Sequence, residues 1–485
     1  AAGAELFELV AADLELVLRL EWLVRSPRMH GFDHQWPDLA RDRLERPPRP
    51  SGPVVAALAS LHPDGRVRER AVSVMTEPET FIAHAREVVP FLVLRTTDWA
   101  APVRMASRMR LVAFLDRFPD LLPTAAETAL RLACRARSGF ALNLVRASLA
   151  AAPDEVFSGF LASGLPQLRR LAAAMPERIA EDEVLLCARV ETDWIARARF
   201  VETVARDAVW TGRLQNIEPL LTSAYPDVRA VAVMAFVRAG LDLRAADHLA
   251  DPDIAVRAIA RAAARRCGID VARRYRDLAG MPAVAPGVLY GLAESAGRVP
   301  DAELRGLIEE RLCDPRPRVR AAAIGALDMV GGLDRDRLLG LLRDPASRVV
   351  RAAAHRLEPD ACRLDVGLLL ALVADPERAS SARRCIYTLV SKHSQEAQLG
   401  AVLTALAGAD HALIARAVYD LQWITVISVL SQPSWMRSGA SFYPERYVID
   451  RSVVPDLPER FAAARAHLDP KTREAFEEMF EVYWR

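Results

Sequence analysis

Apolar residues recur along this chain with the spacing of helices that each bury one side. Leu304, Leu307, Ile308 and Leu312 fall on one stripe, and Val319, Ala323, Leu327 and Val330 form the next one after the step Asp314-Pro315. Gly331-Gly332 then ends the second run with residues that tolerate positive φ. The predicted unit is therefore helix, tight turn, helix, loop. Asp251-Pro252, Asp314-Pro315, Asp344-Pro345 and Asp375-Pro376 each precede an Ala- and Arg-rich run. Aspartate accepts the orphan N–H groups of a helix start, and proline loses nothing at the first helical position, so each step is expected to cap a helix.

An aspartate followed six residues later by an arginine marks the same units: Asp98/Arg104, Asp193/Arg199, Asp251/Arg257, Asp314/Arg320 and Asp410/Arg416, with weaker copies at His62/Arg68, Ser163/Arg169 and Ser223/Arg229. Arginines 169, 199, 229 and 257 are spaced by about 30 residues, and 320, 351, 383 and 416 by slightly more, a period that belongs to helical-pair repeats. The interval from Arg257 to Arg320 is two periods, with a degenerate unit around Val288. One hairpin cannot hide both of its stripes, so neighbours must stack and share a core. The expected fold is an all-α solenoid, an α-α superhelix of roughly a dozen hairpins. Its expected organisation is an N-terminal cap and Pro-rich connection over 1–52, repeats over 53–430 and an aromatic-rich C-terminal cap over 431–485.

Composition supports a chain folded throughout: 52% of the 485 residues are hydrophobic and 26% charged. The net charge of +1 supplies no global field toward nucleic acid or anionic membrane, so any such binding must come from a local patch. Lys392 and Lys471 are the only lysines, an arginine bias that points to a GC-rich, bacterial source. Cys134, Cys187, Cys267, Cys313, Cys362 and Cys385 show no CxxC pattern and are expected to be reduced, mostly buried thiols of a cytoplasmic protein. The stretch from Leu421 to Met436 holds Gln422, Ser428, Gln432 and Pro433 and falls short of a spanning helix, so no membrane partner is expected. The first residues turn amphipathic at Glu5, Glu8, Asp13 and Glu15, unlike a signal peptide.

The segments Asp251-Pro252-Asp253-Ile254-Ala255-Val256-Arg257-Ala258 and Asp314-Pro315-Arg316-Pro317-Arg318-Val319-Arg320-Ala321 resemble the HEAT family. The likeness is to its short-repeat variety, related to phycobilisome-lyase HEAT-like repeats. It covers roughly Ser51 to Val429 and is strongest from Thr222 to Leu389. It implies that second helices form the inner face and that the Asp and Arg of each unit form a ladder between layers. Six residues advance a helix by about 600°, which would turn the arginine from its own cap toward a neighbouring unit. Each partly exposed pair would contribute about 0.2 to 1 kcal/mol. Members of the family bind proteins, nucleic acids or small cofactors on one scaffold.

Candidate chemistry is sparse. His30 and His34 stand four apart, but Pro27, Gly31 and Pro37 oppose a helix presenting both, and no metal site is expected. No histidine is followed by glutamate, the ligand pair of the iron-dependent hydroxylases among HEAT-like proteins. No GxSxG elbow, phosphate-binding glycine loop or dinucleotide fingerprint is present. Arg257, Arg261 and Arg265 lie on one helical face, with Arg266 beside them, and could meet phosphates. Trp99 and Trp194 sit at matching places in Thr97-Asp98-Trp99 and Thr192-Asp193-Trp194 and are candidate partner anchors. Phe476, Phe480 and Trp484 share a face of an acidic helix and could dock on a partner. The expectation is a non-catalytic scaffold for a protein partner, with no cofactor. The alternative is a nucleic-acid binder, glycosylase-like, using the arginine face.

Overall fold

A computed structural model describes residues 14–25, 53–76, 84–296, 302–421 and 450–482. The His30/His34 segment, Trp484 and most of the 421–436 stretch lie outside the described residues. The chain divides into two compact units, Ala1–Ala235 and Phe236–Arg485. Among the described residues every regular element is helical.

In unit 1 the order is α1 (Leu14–Arg25), α2 (Pro53–Ala59), α3 (Gly65–Met75), α4 (Ala85–Arg95), α5 (Ala101–Arg117), α6 (Leu122–Arg131), α7 (Gly139–Ala151), α8 (Asp154–Leu161), α9 (Pro166–Ala172), α10 (Glu181–Val190), α11 (Trp194–Thr211) and α12 (Glu218–Leu221). The unit boundary falls within α13 (Pro226–Arg238). Unit 2 continues with α14 (Asp242–Ala246), α15 (Ile254–Arg266), α16 (Val271–Ala279), α17 (Pro286–Glu294), α18 (Ala302–Glu310), α19 (Pro317–Met329), α20 (Arg335–Leu341), α21 (Ser347–Leu357), α22 (Val366–Ala374), α23 (Ser380–Ser391), α24 (Gln395–Leu406), α25 (His411–Leu421), α26 (Leu457–Ala464) and α27 (Pro470–Val482).

Consecutive helices pair as hairpins, and like members of adjacent hairpins pack in series: α17 on α19, α19 on α21, α21 on α23. This is the α-solenoid that the stripes predict. Leu304, Ile308, Leu312, Val319, Ala323, Leu327 and Val330 are buried, and one continuous core runs through unit 2 from Ala246 to Met479. Gly331 adopts φ +66°, and the Gly332 N–H donates to the Leu327 carbonyl at 2.8 Å, closing α19 as its glycines predict.

The Asp-Pro steps behave differently from expectation. Asp314 and Asp344 precede the helix start by three residues, and each Oδ1 accepts the N–H two residues on, from Arg316 at 2.9 Å and Ala346 at 2.8 Å. Asp251 and Asp375 make the same turn, to Asp253 and Glu377. These aspartates fold the turn before the helix rather than capping it.

A second correction concerns the cysteines. All six are free, but Cys134, Cys313 and Cys362 are exposed and the rest half-buried.

Candidate functional site

The turn acids have a second role, which sets the spacing between layers. Arg320 Nη1 reaches back to the carbonyl of Asp314 at 2.9 Å, while its Nε and Nη2 grip Asp344 of the next repeat at 2.9 and 2.8 Å. Arg68 bonds the His62 carbonyl and forks onto Asp98, and Arg169 bonds Ser163 and forks onto Glu191. Arg197 repeats the pattern on the Glu191 carbonyl and Asp227. Each such arginine ties its own turn to the next layer, through a bidentate pair for Arg68, Arg169 and Arg320 and onto the single Oδ2 of Asp227 for Arg197. Burial pushes Asp98 and Glu191 up, but their arginine forks and turn N–H groups outweigh it and hold both below the ordinary carboxylate range. Glu191 holds the Arg169 guanidinium above its usual value.

The expected ladder therefore exists with a different register. In the 191–197 unit Glu191 and Arg197 are the rung, while Asp193 caps α11 and pairs with Arg170, and Arg199 donates to the Arg170 carbonyl. The degenerate unit around Val288 has no turn acid; Glu294, at the end of α17, takes the fork of Arg257 instead. The arginine reaches the neighbouring repeat, as the 600° advance predicts, while one guanidinium nitrogen also holds a carbonyl of its own turn. Several rungs are largely buried, so uncompensated charge, not a surface pair, sets their energy.

In unit 2 the stacked second helices leave an open groove of about 990 Å³. Its floor is small and apolar: Ala250 and Pro252 from the turn, Ala285 and Pro286 before and in α17, Ala321 and Ala322 of α19, Ala352 of α21. Glycines set its depth. A Cβ at Gly287 would lie 2.3 Å from the Ala250 and Asp251 carbonyl oxygens, so only glycine lets α17 seat against that turn. Gly325 leaves room for the ring of Tyr290, the one Phe, Tyr or Trp among the described residues lining the groove.

Arg318, Arg348, Arg351 and His355 also line the groove. Neighbouring arginines are spent inside the protein: Arg316 on Asp314, Arg320 on Asp344, Arg356 on Asp328. Among the described residues Arg318, Arg348 and Arg351 pair with no carboxylate. The groove's own carboxylate, Glu358, is engaged by Lys392, which holds it below its usual value. Three uncompensated cations thus face one cavity.

The repeat geometry on these helices agrees with a comparison against known families, in which the model for HEAT repeats (HEAT_2) matches residues 284–358, the α17 to α21 stretch that carries most of the groove. Residues 284–358 are similar to HEAT repeats. Alignments to solved structures include Kap121p (TM-score 0.28, 12% identity, 92% of this chain and 55% of that one), importin beta (0.25, 11%, 95% and 73%) and Pds5 in the Pds5-Scc1 complex (0.22, 13%, 96% and 73%). The chain spans somewhat more than half the length of Kap121p. No curated protein matches the sequence.

Along the solenoid the residues chosen from sequence scatter. Arg257 is buried on Glu294 and the Asp251 carbonyl, Arg261 bonds the same Glu294, and Arg266 pairs with Asp242 3.1 Å from its Nε. Arg265 alone of the four is exposed without an ion pair among the described residues. The arginine face of α15 is therefore mostly neutralised. Trp99 and Trp194 are 64% and 66% exposed, but they are not equivalent: Trp99 follows the rung acid within the turn, its ring 5.5 Å from the Arg68 guanidinium, whereas Trp194 is the first residue of α11. Phe480 is half-buried, its ring 5.4 Å from Phe461 and 6.3 Å from Phe476 and packed against the unit 2 core.

The groove arginines escaped the sequence reading because Arg351 counts as a member of the 30-residue series. It stands seven residues after its turn acid, not six, and Val350 occupies the rung position. The usable signal was that Arg318 and Arg348 both stand four residues after the turn aspartate in adjacent repeats. No group of side chains that could hold a metal ion occurs among the described residues, and no described helix is long and apolar enough to cross a membrane.

Proposed function

We propose that this HEAT-repeat chain is a non-catalytic scaffold that holds a protein partner on the second-helix face of unit 2. The observation that carries the reading is the groove with Arg318, Arg348 and Arg351 uncompensated along it. Guanidiniums grouped without counter-charge repel one another, and an incoming anionic partner relieves that repulsion while covering the alanine floor. A nucleic-acid partner on α15 loses its support, since Arg257, Arg261 and Arg266 already serve Glu294 and Asp242. Six free cysteines, three of them exposed, fit a reducing compartment such as the cytoplasm.

The test is affinity capture from nuclease-treated host lysate with the wild-type chain and with Arg318→Glu/Arg348→Glu/Arg351→Glu. A stoichiometric protein retained by wild type and lost by the triple variant supports the scaffold. Equal capture by both refutes the groove as its seat.

A further inference from the structure

We infer that the groove takes an acidic protein segment in polyproline II conformation, with a carboxylate at every third residue. The inference rests on the protein-binding reading above and specifies its occupant. Arg318 and Arg348 occupy the same position in adjacent repeats, four residues after Asp314 and Asp344. Their helices, α19 and α21, pack directly against each other, which sets their axes about 8 to 10 Å apart. A polyproline II chain returns to the same face every three residues, after about 9 Å. Two carboxylates three residues apart therefore match the repeat spacing, one for each arginine. A β-extended chain does not, because residues three apart point to opposite sides.

Arg351 lies one turn along α21 from Arg348 and shares its face, so one carboxylate can be held by two guanidiniums. Between the charges the floor of Ala285, Pro286, Ala321, Ala322 and Ala352 is shallow and apolar, suited to prolines and small aliphatic side chains. A single-stranded nucleic acid is the poorer fit. Such ligands need successive aromatic platforms for their bases, and among the described residues the groove is lined by no Phe or Trp and by one Tyr, Tyr290, whose ring lies 5.5 Å from the Arg257 guanidinium, with the His355 imidazole as its other aromatic ring.

The experiment is fluorescence anisotropy on the full chain with three labelled probes of equal length. These are (Pro-Pro-Glu)4, the uncharged (Pro-Pro-Gln)4, and a peptide of the same composition as the first with its four glutamates contiguous. A single-stranded oligonucleotide of four phosphates serves as a fourth probe. The spaced acidic probe is expected to bind at least tenfold more tightly than the other three, and Arg348→Glu to weaken it at least tenfold. Because Arg318, Arg348 and Arg351 are exposed, their substitution leaves the core intact, and the milder Arg348→Gln is expected to give an intermediate loss. Equal binding of the spaced and uncharged probes, tighter binding of the oligonucleotide, or indifference to Arg348→Glu overturns the inference. If the captured protein is lost by the triple variant while the spaced probe shows no preference, the scaffold stands and the polyproline occupant falls.

Discussion

Replacing Asp98 by asparagine isolates the energy of one ladder rung. Its carboxylate accepts from Arg68 Nε and Nη2 at 2.9 Å each, from Arg95 Nη1 at 2.8 Å and from the Ala100 N–H at 2.9 Å, and the Arg68–Asp98 pair is shielded completely from solvent. Asparagine keeps the shape and one acceptor but removes the charge. The Arg68 guanidinium is then left on the His62 and Pro63 carbonyls, beside a second buried guanidinium, Arg95. Removing one partner of a buried ion pair costs about 3 to 5 kcal/mol, because the remaining charge stays desolvated. In a stacked-repeat fold that loss is concentrated in the layers it joins. Hydrogen exchange of the α3 to α5 amides is therefore expected to accelerate by about two to nearly four orders of magnitude, what the same energy gives through the equilibrium constant. Unit 2 amides are expected to be unaffected. Acceleration below tenfold in α3 to α5 would refute the claim that the rungs hold layers together.

Acidification is expected to act on two of these rungs, at Asp98 and Glu191, and on Asp314, which Arg316 holds within its own turn. All three titrate below their ordinary values, so their contribution is complete above the unfolded carboxylate pKa of about 4 and is lost as pH falls through the lower folded values. The urea midpoint should be flat from pH 6 to 8 and decline below about 4; a rise on acidification contradicts the assignment. Gly287→Ala places a Cβ against two backbone oxygens and is expected to cost about 1 to 3 kcal/mol in urea unfolding, with weaker groove binding. A neutral result would show that α17 does not seat on the 250–252 turn as described. Arg261→Glu sets a carboxylate against Glu294 and is expected to destabilise by about 1 to 3 kcal/mol, whereas Arg265→Glu should stay within about 0.5. Equal effects in paired urea melts would count against the neutralised face.

The fold was legible because burial follows helical periodicity. Leu304 through Val330 could be divided into two buried stripes without knowledge of any contact, and Gly331 was assigned to a position that needs positive φ. The ladder was half legible. A six-residue Asp-to-Arg interval finds Asp314/Arg320, but it selects Asp193/Arg199 as readily as the true rung Glu191/Arg197, since spacing alone does not say which acid precedes the helix by three residues. The candidate site was hidden for a further reason. Whether an arginine is available to a partner depends on carboxylates distant in sequence, such as Glu294 for Arg257 and Arg261, and their absence around Arg318, Arg348 and Arg351 becomes visible only when layers are stacked.

The most direct measurement is site-specific photo-crosslinking in the full chain, with a benzophenone residue placed at Thr388 on the groove wall or at Trp210, an exposed position in unit 1. The protein captured from lysate is expected to crosslink at 388, not at 210, and the 388 adduct to disappear in the Arg318→Glu/Arg348→Glu/Arg351→Glu background. Crosslinking at 210 alone, or an adduct at 388 that persists when the three charges are reversed, would contradict it.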